Sequence, residues 1–129
     1  MDTNVLIAAF TTQGLCRLVF ELCLNQHEVV INEEILGELK EKLHVKFKIP
    51  STEVRETLLF LRKNVRLEPP AHLEKNVCRD PDDLPILGTA VSSKSDVAVT
   101  GDNDMLVLTS IQGIPILSPR EFWEHLRRT

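Results

Sequence analysis

Tyrosine is absent from the 129 residues, and aromatic side chains make up only 5% of them, with one Trp at position 123. A chain so poor in flat side chains is badly equipped to read bases by stacking, so Trp123 is assigned to the core or to an interface. Long apolar runs are missing too. None approaches the roughly 20 residues that cross a bilayer, which argues against a membrane protein. Asp2 stands where a signal peptide carries its basic region, so the expected location is cytoplasmic. Cysteine is scarce and odd in number: Cys16, Cys23 and Cys78 lack C-x-x-C spacing. On one helix Cys16 and Cys23 would lie about 10 Å apart, too far for a disulfide, so reduced thiols are expected. His27, His44, His72 and His125 are scattered without zinc-type pairing, and no Ser, Cys or His is arranged as a nucleophile.

What remains is an ordinary globular composition, 43% apolar and 26% charged, long enough for a real core in a single domain over 1–129. The net charge of −4 seems unsuited to nucleic acid, but it conceals an asymmetry. Residues 40–66 hold eight basic side chains (Lys40, Lys42, Lys46, Lys48, Arg55, Arg62, Lys63 and Arg66) against three acidic ones. Residues 80–104 hold six aspartates against Lys94 alone. A basic segment can hold phosphates while an acidic one holds metal, although two solvated faces would look the same.

Periodicity outlines the framework. Leu15, Leu18, Val19 and Leu22 follow helical spacing and predict a helix over about 14–25. Residues 28–31 read as a buried strand. Asn32 then caps a helix, with Glu33 and Glu34 in its first turn, that runs to about His44. Pro50-Ser51 breaks and caps again, opening a helix to about Asn64, with a short strand at 65–67 and loop through 66–82. A helix is predicted from Asp83 to near Ser93, with Pro85 in its first turn. Strands follow at 96–100 and 114–117, the latter placed at an edge by Pro115. Ser118, Pro119 and Glu121 form a capping signature for a last helix, which turns Phe122, Trp123 and Leu126 inward. Alternating strands and helices predict an α/β fold with a parallel sheet covered on both faces.

Within that frame four carboxylates, Asp2, Glu38, Asp83 and Asp102, each fall at the end or face of a regular element. Oxygen ligands of this kind suit hard cations, and two Mg²⁺ or Mn²⁺ ions can clamp both oxygens of a phosphodiester displacement. They are expected to converge on one pocket at the carboxyl edge of the sheet, with Asp104 as an additional ligand behind Asp102. Simpler roles compete. Asp2 could be a cap, and Glu38 could pair with Lys42 one turn on, with Glu34 standing as its substitute. Among Asp80, Asp82 and Asp83 one should cap a helix; Asp83 is chosen as the ligand. Asn4 and Thr100 are expected to hold the acids by hydrogen bonds. Lys40, Lys46 and Arg79 are the candidates for steadying the scissile or flanking phosphates. A haloacid-dehalogenase-like phosphatase also begins with a strand-end Asp, but it needs a second acid where this chain has Asn4.

The segments Asp2-Thr3-Asn4-Val5-Leu6-Ile7, Ile35-Leu36-Gly37-Glu38-Leu39, Arg79-Asp80-Pro81-Asp82-Asp83 and Val99-Thr100-Gly101-Asp102-Asn103-Asp104 come in a known order and spacing. In these pieces the chain resembles PIN-domain ribonucleases, particularly the toxins of toxin–antitoxin pairs. The resemblance implies a three-layer α/β/α sandwich around a central parallel sheet. It also implies Mg²⁺- or Mn²⁺-dependent cleavage of single-stranded RNA, with a protein antitoxin and a homodimer. Position by position, it makes Asp2, Glu38, Asp83 and Asp102 catalytic metal ligands. The family carries several apolar residues before its first acid, whereas Met1 alone precedes Asp2 here, so the first strand is expected to be truncated. A catalytically impaired scaffold that binds RNA or protein is the second expectation.

Overall fold

A computed structural model describes residues 1–128. The first element is not a strand remnant but a helix, α1 (Thr3–Thr11), and Asp2 is its cap: the Asp2 carboxylate accepts from the Val5 N–H at 2.9 Å. The run Val5-Leu6-Ile7 closes its hydrogen bonds within this helix and buries all three side chains. One sheet-like contact survives, from the Asp2 N–H to the Val99 carbonyl at 3.2 Å.

Helix α2 (Leu15–Gln26) lies where it was expected, but its buried face is Val19, Phe20 and Cys23, and Leu18 points to solvent. Strand β1 (Val30–Ile31) leads through Asn32 into α3 (Glu33–Glu41), which continues as a π turn at Lys42–Lys46. Asn32 is buried and fully used. It accepts from the Ile35 N–H at 2.8 Å and donates to Pro85 and Thr89 across the fold. Helix α4 (Ser51–Asn64) begins without a side-chain cap, so Ser51 is its first residue rather than its stopper. Strand β2 (Arg66–Leu67) follows, then two short 3₁₀ turns at Lys75–Val77 and Pro81–Asp83, and α5 (Leu84–Ser92). The chain closes with β3 (Ala98–Val99), α6 (Asn103–Leu106), β4 (Ser110–Ile111), β5 (Ile114–Leu117) and α7 (Pro119–Arg127). The capping box of α7 is present, with Ser118 and Glu121 bonded reciprocally.

The chain is α/β. The single central parallel sheet expected from the sequence is, among the described residues, two small sheets. Strand β1 pairs in parallel with β2, and β5 lies between β3 in parallel and β4 in antiparallel. Pro115 is therefore not on an edge strand. It stands opposite Ser110, and the rung to the β4 side is made by its neighbour, Ile116 N–H to Thr109 carbonyl at 2.9 Å. The β4–β5 hairpin, unforeseen in the sequence, turns on Gln112 and Gly113, both at positive φ, as a two-residue loop between twisted strands requires.

Apolar burial falls in two clusters joined through Ile86. One is centred on Leu6, Val19, Leu39 and Leu61; the other gathers Leu87, Met105 and Ile116. Phe122 is buried, with Trp123 and Leu126 half-buried. All three cysteines are free thiols. No single helix among the described residues is long and apolar enough to cross a membrane.

At Gly88 the segment before α5 comes so close that Ala71 donates its N–H to the Gly88 carbonyl at 3.0 Å. A Cβ on Gly88 would meet the Ala71 carbonyl oxygen at 2.4 Å, a backbone atom that cannot turn aside. Gly88→Ala should therefore destabilise the protein by about 1–3 kcal/mol, the usual scale of overpacking, although alanine is the better helix former. The midpoint of urea unfolding measures it; an unchanged or raised midpoint would contradict the close packing.

Candidate metal centre

The acidic site is assembled where two local signals end. The first is Asp80-Pro81-Asp82-Asp83, where Pro81 starts a 3₁₀ turn and the Asp80 carboxylate accepts from the Asp82 N–H at 3.0 Å. Asp80 is thus the cap, and the Cys78 thiol donates to its carbonyl at 3.1 Å. Asp83, at the junction of this turn and α5, makes no capping bond with its side chain. It is only 6% exposed, and its Oδ2 is buried without a hydrogen-bond partner. A buried carboxylate oxygen left this way is costly unless something else satisfies it. Burial, and then the charges of Asp102, Asp80, Asp104 and Asp2, push its pKa up from 3.8 to about 6.

The second signal follows β3. Asp102 caps α6, accepting from the Asp104 N–H at 2.7 Å. One carboxylate oxygen each from Asp80, Asp83 and Asp104 then lie within 4.8 Å of one another. Hard oxygen donors so gathered, one of them buried and unsatisfied, fit Mg²⁺ or Mn²⁺ rather than a softer metal.

The sequence-predicted residues meet different fates. Asp83 and Asp104 are brought together. Asp80, read from sequence only as a member of a capping cluster, joins them, because one of its oxygens can cap while the carboxylate still faces its neighbours. Asp2 and Asp102 are close enough for their charges to act on Asp83. Both Asp2 oxygens already have donors, the Val5 N–H and the Thr100 hydroxyl. Thr100 does the bracing expected of it: its hydroxyl donates to Asp2 and accepts from the Asp102 N–H at 3.0 Å. Asn4 does not. It is exposed, and its side chain accepts from Lys42 Nζ at 3.5 Å rather than bonding to any of the acids.

Glu38 lies further off. Half-buried on α3, it accepts from the Thr3 hydroxyl at 3.1 Å and is not among the charges that shift Asp83. Its predicted alternative, an ion pair with Lys42, does not form, since Lys42 reaches Asn4 instead. Thr3, which the sequence gave no reason to single out, stands beside Asp2 and links Glu38 to the start of α1. Arg79 borders the acids, 3.9 Å from Asp104 and 87% exposed. Lys40 instead lines a separate recess between α3 and α4 with His44, Arg55 and Arg62, and Lys46 ends the π turn over the Phe47 ring.

A family model described as a PIN domain matches residues 1–104, and the chain belongs to the PIN-domain family. PIN domains are generally nucleases and typically use divalent metals. No curated protein and no solved structure matches the chain.

The raised pKa has a consequence for stability. Because Asp83 holds its proton up to about pH 6 when folded and releases it near 3.8 when unfolded, folding is disfavoured as the pH rises between those values. In metal-free buffer this contribution is fully favourable below about pH 3.8 and lost above about 6, a penalty on the order of 2–3 kcal/mol. Asp83→Asn should accordingly be more stable than the wild type in EDTA at pH 8, and the difference should vanish near pH 4. Urea denaturation at the two pH values decides it; an equal gain at both would show that burial of the charge is not the cause.

Proposed function

We propose that the protein is a Mg²⁺- or Mn²⁺-dependent endoribonuclease acting on single-stranded RNA. The observation that carries this is the buried, unpartnered Oδ2 of Asp83 set among the carboxylates of Asp80 and Asp104. Asp83, Asp80 and Asp104 would hold the first cation, with Asp102 and Asp2 lining the approach and Glu38 further off, bonded to Thr3. Once bound, such a cation supplies positive charge to a phosphodiester and lowers the pKa of water. Thr100 keeps Asp2 and Asp102 in register, so that neither swings toward the substrate phosphate. Arg79, mostly exposed beside Asp104, is placed to meet a flanking phosphate. Lys40 and Lys46, on the basic 40–66 segment, would track the rest of the strand.

A role as the toxin of a toxin–antitoxin pair extends this reading. What supports a protein partner is a recess of about 600 Å³ between α3 and α4, where Val45 and Leu59 are exposed and basic side chains form the rim. A homodimer belongs to the same proposal. The second reading is an impaired scaffold that binds without cutting, and one observation favours it: both oxygens of Asp2 are already bonded within the fold.

A cleavage assay on single-stranded RNA separates the two. With Mn²⁺ the wild type should cut, with EDTA it should not, and Asp83→Asn and Asp102→Asn should each lose about 100-fold or more. Lys46→Ala should weaken RNA binding mainly at low salt. Cutting in EDTA, or wild-type rates in either Asn variant, would falsify the metal-dependent nuclease; RNA binding without cleavage under every condition would make the scaffold the better account.

A further inference from the structure

Three lysines stand on α3 and its π turn, and they face different ways. Lys40 lines the recess against α4, Lys46 lies over the Phe47 ring, and Lys42 reaches α1, where its Nζ donates to the Asn4 side chain at 3.5 Å. Lys42 is half-buried and, among the described residues, forms no ion pair with a carboxylate. One turn before it stands an acid that ought to take it. Glu38 and Lys42 are four apart on one helix, acid first, the spacing and order that pair best. Glu38 is instead held by Thr3, whose hydroxyl donates to its Oε2 at 3.1 Å. Thr3 is 3% exposed, and a shielded hydroxyl on a carboxylate makes a charge-assisted bond that outcompetes a solvated pair along a helix. Two adjacent residues of α1 thus meet α3, a donor for the acid and an acceptor for the base, and they keep the opposite charges apart.

We propose that Thr3 is a positioning residue: by holding Glu38 it leaves Lys42 unneutralised, and Lys42 contacts a phosphate of single-stranded RNA beside the acids. The proposal rests on the reading of the site as one for RNA. Asn4 lies two residues past Asp2, so Lys42 borders the acidic site from α3, as Arg79 borders it beside Asp104. An ammonium has three donors; Lys42 uses one on Asn4 and has two left for phosphate oxygens. Paired with a neutral amide it also keeps its full charge, which is what a phosphate reads; paired with Glu38 it would offer none. Asn4, which bonds to none of the acids, is on this account the rest for the lysine. Without the Thr3 hydroxyl, Glu38 turns to Lys42 and the cation is lost to the substrate.

Binding of a short single-stranded RNA, read by fluorescence anisotropy in EDTA at several salt concentrations, tests this apart from cleavage. Lys42→Ala should weaken binding about fivefold at low salt and flatten the slope of log K against log salt by about 0.7, the value for one phosphate contact on a single strand. Thr3→Val, which keeps the shape and removes the hydroxyl, should do the same, and Thr3→Ser should not. Thr3→Val should cost nothing further in the Lys42→Ala background, and nothing in the Glu38→Gln background, where no ion pair can form. A loss caused by a disturbed fold would appear in every background. The proposal is overturned if Lys42→Ala leaves RNA binding unchanged, if Thr3→Ser is as poor as Thr3→Val, or if the Thr3→Val loss persists beside Glu38→Gln. A wild type that binds no RNA overturns it together with the RNA reading. The expected pattern of variants in a protein that never cuts would uphold it and sink the nuclease reading alone.

Discussion

Asp2 is fastened in three directions, and much of the architecture hangs on that one residue. Its N–H reaches the Val99 carbonyl, one carboxylate oxygen receives the Val5 N–H, and the other receives the Thr100 hydroxyl. The first contact ties the chain start to β3, the second begins α1, and the third joins the start of the chain to the loop that carries Asp102. A carboxylate 3% exposed is tolerable in the apolar interior only because every one of these donors is present. Thr3, one residue on, extends the same anchorage to Glu38 on α3. Four elements distant in sequence are thus held in register by short polar side chains rather than by a continuous sheet.

Asp83 represents the opposite choice. No described residue donates to its buried oxygen, and four neighbouring aspartates act on it, so the fold carries an electrostatic cost there. Packing alone does not require this cost: an asparagine or a small apolar residue at the start of α5 would avoid it. Sites where a fold retains strain of this kind are where chemistry is sought, and the family membership of residues 1–104 agrees. The acids are brought together by caps. Asp80 and Asp102 each accept from the N–H two residues ahead, and oxygens of Asp80, Asp83 and Asp104 lie within 4.8 Å of one another.

Several of these features were legible from residues alone. The caps of α3 and α7 are encoded by Asn32 and by Ser118 with Glu121, side chains that act within three residues of themselves, so tertiary context does not alter them. The location of α2 was equally local, but its inward face was not: Leu18 fits the apolar spacing yet faces solvent, because the neighbours of α2 sit over Val19 and Cys23. Asp2 is a second case: the sequence leaves open a cap or a metal ligand, and the fold shows the cap, its carboxylate accepting from the Val5 N–H. Pro115 was placed at an edge because proline lacks a donor, but the rungs of β5 simply fall on its neighbours.

By itself, then, the chain determined what acts over a few residues: which side chains cap, where helices stop, and which acids exist to bind a hard cation. It also determined that the three cysteines are free and that no single helix among the described residues is long and apolar enough to cross a membrane. Tertiary structure decided which of the acids meet. Asp80 was promoted from cap to partner of Asp83 and Asp104, Asn4 was turned to solvent, and Glu38 was set aside with Thr3. It also decided that, among the described residues, the strands form two small sheets. The physical reason is range: a cap or turn is settled by hydrogen bonds a few residues long, whereas the meeting of carboxylates and the pairing of strands depend on contacts between segments up to a hundred residues apart, which no local pattern specifies.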